Sequence, residues 1–162
     1  MTLARPHGGW VIVASFVVAL LLSTLPLPDW ILPWRPEWSA LVLIYWTMAL
    51  PHRVGVGVGW IVGLLLDVLQ GTLLGQHALG LATLAFVTYN LHQRVRVFPL
   101  WQQALTVMLF LALYQLLLLW FDGITGRPPR GWEYWIPSLT GMALWPWIFV
   151  VLRDLRRRFK VT

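Results

Sequence analysis

Residues 63–75 read GLLLDVLQGTLLG. Gly59, Gly63, Asp67, Gly71 and Gly75 stand four residues apart, an acid in a row of glycines within an otherwise apolar run. The surrounding chain says what solvent such a run was made for. Of 162 residues 59% are hydrophobic and only 11% charged, with a mean hydropathy of +0.71. A soluble domain carries about 25% charged residues. The apolar residues fall in blocks that suit bilayer crossings of roughly 17–25 residues each. The expected fold is therefore all-α and integral to the membrane.

Six spans are predicted, over residues 9–25, 36–50, 54–69 (with room for one further turn), 77–91, 98–121 and 132–152. They form one six-helix transmembrane bundle, residues 1–162 being a single domain that ends in a basic tail, 153–162. The N-terminal apolar run has no small-residue cleavage site after it and reads as a retained first helix rather than a signal peptide.

Orientation follows from the placement of Arg and Lys in the connections. With the N-terminus inside, Arg5, Arg53, Arg94, Arg96, Arg153, Arg156, Arg157, Arg158 and Lys160 are cytoplasmic, and Arg35, Arg127 and Arg130 lie outside. Nine against three puts both termini in the cytoplasm. The net charge of +6 then reports topology, not a nucleic-acid partner. The tryptophans support this. Trp10, Trp101, Trp145 and Trp147 lie near inner ends, and Trp30, Trp34, Trp38, Trp120, Trp132 and Trp135 near outer ends, as interfacial belts do.

Catalytic patterns are missing. There is no cysteine, which removes disulfides, thiolate metal sites and a thiol nucleophile. His7, His52, His77 and His92 occur singly, with no His-Glu-x-x-His pair, so neither metal nor cofactor is expected. GVGVGW at 55–60 lacks the strand context and lysine of a phosphate cradle and reads as small residues for helix packing.

Asp67 is the one ionisable side chain deep in a span, roughly 21 Å along the helix from Arg53. An isolated charge there costs at least ~2.5–3.5 kcal/mol, so the acid must be protonated, paired or turned to a polar cavity. Gln115, Ser138 and Thr140 lie at a similar depth as a possible polar network, and His77 opens the fourth span on the same side. Two readings stay open: a polar pocket or partner contact, and a hydrogen bond that locks the bundle. The glycines make a groove for close approach of a helix, from this chain or from a partner. Arg153, Arg156, Arg157, Arg158 and Lys160 point to anionic lipid or a cytoplasmic protein.

Several long stretches resemble one family. WRPEW (34–38), LIYWTMALPHRVGVG (43–57), GLLLDVLQGTLLG (63–75), LWQQALTVML (100–109) and LWPWIF (144–149), with the basic tail, are similar to the bacterial rod shape-determining MreD proteins. The resemblance covers essentially the whole chain. It implies a non-catalytic inner-membrane subunit of the cell-elongation machinery, associated with MreC and linked to MreB, to RodA and to its partner transpeptidase. It also implies a layout similar to the substrate-binding subunits of vitamin importers, which says nothing about cargo. The competing reading is a small-ligand or lipid-binding transport-type subunit with a polar pocket around Asp67.

Overall fold

The computed structural model describes residues 8–126 and 131–161, so Arg5, His7, Arg127 and Arg130 lie outside the described residues. Six helices follow one another: α1 (Gly9–Thr24), α2 (Trp38–Ala49), α3 (Val56–Gln70), α4 (Gln76–Arg96), α5 (Leu100–Ile124) and α6 (Ile136–Arg158). Single 3-10 turns at Leu32–Trp34 and Trp132–Trp135 precede α2 and α6, and no strand occurs among the described residues. Local chemistry sets several ends. Pro99 caps α5 and Pro137 sits in the first turn of α6, where a missing N–H costs nothing. α3 stops at Gly71, which takes a left-handed φ of 67°, the usual glycine ending.

α2 is the centre of the bundle. Ten of its 12 residues are buried, and α1, α4, α5 and α6 all pack on it. Leu41, Leu43, Ile44 and Trp46 of α2 meet Leu111 and Tyr114 of α5 and Trp145 of α6 in one core. α3 stands outside this ring and packs chiefly on α4. The bundle has two chemically distinct ends. The basic end gathers Arg53, Arg94, Arg96 and the arginines of α6; the opposite end carries Glu37, Asp67, Asp122 and Glu133.

The exterior is apolar. Val13, Val68 and Leu109 are each more than 60% exposed, and they have many neighbours of the same kind on α1, α3, α5 and α6. In water such a girdle would be an aggregation surface; in hydrocarbon it is an ordinary exterior. Among the described residues, α5 and the stretch Trp132–Arg158 are long and apolar enough to cross a membrane, while α1, α2 and α3 are apolar but shorter. In lipid the backbone groups left over at helix ends need partners. Arg35 donates to the carbonyls of Ser23 and Leu25 (3.1 Å) at the end of α1, and Arg96 to that of Met48 at the end of α2.

Two expectations change. The basic residues 153–158 are the last turns of α6 and not a separate tail, because cations at a helix C-terminus are stabilised by its dipole. Nor do the glycines spaced four apart from Gly59 to Gly75 form one ridge: of that row, only Gly59 and Gly63 lie on α3. Gly71 and Gly75 (φ 103°) belong to the turn that follows, where their freedom at positive φ reverses the chain.

Candidate functional site

The turn made by Gly71 and Gly75 brings the start of α4 back onto Asp67. The first residues of any helix expose N–H groups without intrahelical partners, and here they point at the carboxylate. Asp67 accepts from the N–H of Gly75 at 2.9 Å, of His77 at 2.9 Å and, more weakly, of Ala78 at 3.4 Å. The Thr72 hydroxyl donates to the same carboxylate at 2.7 Å, and His77 Nδ1 lies 2.7 Å away. Since every other group around it donates, the His77 proton is assigned to Nδ1. Asp67 is 1% exposed and acts as a capping group for α4 supplied from another helix.

The glycines upstream allow this approach. A Cβ on Gly63 would overlap the backbone of Ala78, and one on Gly59 would lie 2.8 Å from the Leu81 carbonyl oxygen. α3 and α4 therefore touch backbone to backbone, and the small-residue groove is filled from within the chain. Glycines outside the row do similar work: Gly80 faces the Tyr114 ring and Gly141 faces Leu111.

Gln115 and Ser138 meet as the sequence suggests. Ser138 donates to Gln115 Oε1, the Gln115 amide donates to the Tyr134 carbonyl at 2.7 Å, and the Tyr134 hydroxyl donates back to the Gln115 carbonyl. Thr140 is not part of this network, since its hydroxyl is spent on the Ile136 carbonyl of its own helix. A further buried acid, Asp122, accepts from the Gln76 amide at 3.2 Å, also at the head of α4.

The two networks face one cavity of about 660 Å³ at this end, lined among others by Arg35, Glu37, Gln70, His77, Gln115 and Tyr134. His77, which the sequence places on the same side as Asp67, is its direct partner, and Thr72 is a partner that the sequence does not single out. The TLLGQH stretch that joins them to Asp67 across a glycine-bounded turn was the available signal. At the basic end, Arg153, Arg156, Arg157 and Lys160 line a second pocket of about 380 Å³; Arg158 is exposed and outside it. No group of three or more His, Cys, Asp or Glu side chains able to hold a metal occurs among the described residues.

The described residues are all-helical, with an apolar exterior, helix ends covered by internal charges and a core closed by side-chain hydrogen bonds, features compatible with a small membrane protein. Residues 4–155 match the family described as rod shape-determining protein MreD. The chain is also 33% identical over 150 residues to the rod shape-determining protein MreD of Haemophilus influenzae, covering 93% of each. It belongs to the MreD family, whose members are shape-determining structural proteins and not enzymes. No solved structure matches it.

Proposed function

We propose that this chain is a scaffold of the cell-elongation complex in the bacterial inner membrane, needed for rod shape and lateral peptidoglycan synthesis. All six helices cross the bilayer, both termini are cytoplasmic and the basic end faces the anionic inner leaflet, where each basic residue contributes about 1 kcal/mol. The partners are MreC, bound directly in the membrane, with links to MreB and to RodA with its transpeptidase. The observation that carries this reading is the family match along nearly the whole chain.

Since α4 fills the glycine groove of α3, a partner helix needs another seat. α1 and α6 both pack on α2 and leave between them an apolar groove of about 490 Å³, walled by Trp10, Val18, Trp38, Leu144 and Trp147. This groove is the proposed seat for the MreC transmembrane helix. The test is complementation: produced in a rod-shaped bacterium depleted of its own MreD, the chain should restore rods and co-purify with MreC. Round cells at normal membrane levels of the protein would refute the scaffold reading.

One observation favours a second reading. The 660 Å³ cavity presents Arg35, Glu37, His77 and Gln115 to the outer side, a charged and polar lining suited to a small polar ligand or lipid headgroup. His77→Gln keeps the main-chain bonds to Asp67 while changing the cavity wall. Loss of rod shape in that variant, with folding and MreC binding intact, would move the reading from pure scaffold to ligand-dependent subunit.

A further inference from the structure

The end of α6 closes in a way that helix stability alone does not require. The Lys160 N–H donates to the Arg157 carbonyl and the Val161 N–H to the Arg156 carbonyl at 2.9 Å, the paired bonds of a Schellman ending. The left-handed position in that motif usually holds glycine, yet here it holds Lys160, at φ 49°. Val161 is buried against Gly8, which fixes the turn and sets Lys160 at the pocket rim.

Five cationic side chains line this 380 Å³ pocket: Arg96 from α4, and Arg153, Arg156, Arg157 and Lys160 from the end of α6. No carboxylate lines it. Arg153 Nε is buried without a hydrogen-bond partner, Arg156 reaches the Tyr45 hydroxyl, and the Gln103 side chain forms part of the wall. Macrodipole and topology arguments explain cations at a helix end. They do not explain why the α6 cations converge on Arg96, whose guanidinium also donates to the Met48 carbonyl, or a lysine in place of glycine. Like charges gathered in one concavity call for an anion.

We propose that this pocket binds one phosphate group, that of an anionic phospholipid headgroup. Met48, Ala49 and Phe149 supply an apolar wall beside the cations, which suits a phosphate attached to an acyl-chain root better than a free ion. The inference deepens the lipid-facing part of the proposed function. It rests on membrane insertion and not on assembly with MreC.

The test is native mass spectrometry of the purified full chain released from vesicles of phosphatidylglycerol and phosphatidylcholine. The chain should retain one phosphatidylglycerol in preference to phosphatidylcholine. Arg153→Gln with Arg156→Gln should lower retention at least about tenfold. Lys160→Gly should lower it while leaving the melting temperature unchanged or higher, which separates binding from folding. Arg158→Gln, outside the pocket, should have little effect. Equal retention of both lipids, or equal losses from Arg158→Gln and Arg156→Gln, would overturn the site. Displacement of phosphatidylglycerol by millimolar orthophosphate would keep a phosphate site but overturn its lipid source. A failure here leaves MreC co-purification untouched, and the converse also holds, so the two readings fail separately.

Discussion

At Asp67 the number of donors decides the chemistry. Three backbone N–H groups, one hydroxyl and one imidazole nitrogen surround a side chain that, when ionised, can only accept. Asparagine has one acceptor oxygen and would turn an NH₂ toward donors. Asp67→Asn is therefore expected to destabilise the chain by about 1–3 kcal/mol, the cost of orphaning a buried donor, and Asp67→Leu by more. Thr72→Val removes one hydroxyl bond and should cost about 1 kcal/mol. Thermal unfolding in detergent should rank Leu below Asn, and Asn below Val. An Asn variant as stable as the parent would mean that the acid is a neutral hydrogen-bonder. Asp67 stood out in the sequence because its cost in lipid is large, and its depth drew attention to Gln115 and Ser138. Thr140 failed the same test of depth because two residues past Ser138 is roughly 200° round a helix, on another face. The direct contact of His77, and Thr72 altogether, are not legible because their approach depends on the path of a turn.

For the helices, equal spacing concealed two uses of glycine. In α3 glycine is wanted for its missing side chain, and after α3 for its access to positive φ; sequence spacing alone does not separate these. Substitution does. Gly63→Ala drives a methyl into the Ala78 backbone and should cost about 1–3 kcal/mol or more, with α3 and α4 forced apart. Gly71→Ala meets nothing within 4 Å, so it should cost only the left-handed backbone penalty, about 1–2 kcal/mol. Gly57→Ala, on α3 with open space around it, should be neutral or up to ~1 kcal/mol stabilising. Denaturation of the three variants in one detergent checks the order. A Gly63→Ala protein as stable as Gly57→Ala would contradict backbone-to-backbone packing. The helices themselves were legible because apolar runs in a chain this poor in charge have few other destinations. The extension of α6 to Arg158 was not, since a basic run after an apolar one reads equally as helix end or tail.

Over the whole molecule, the remaining question is which surface is left for another protein. The concave places lined by the described residues include the polar cavity, the basic pocket and the apolar groove between α1 and α6. Of these, only the groove has the chemistry of a lipid-embedded helix seat. Its polar side chain Ser15 is already spent, donating to the Ile12 carbonyl and accepting from Trp46 Nε1 at 2.8 Å. A transmembrane helix bound there gains dispersion contacts that fluid acyl chains match less well. A photo-crosslinking residue at Val18 or Leu144 should therefore capture MreC in cells, whereas one at Leu109, 63% exposed on α5, should not. Replacing Ala14 with Trp should fill the groove and abolish the adduct without unfolding the chain, because Ala14 lines the groove, not the core. Adducts of equal yield from Val18 and Leu109 would mean that MreC meets the bundle without a defined seat. Lipid adducts alone at Val18 and Leu144 would give the groove to the bilayer, and the partner would then have to bind through the polar end.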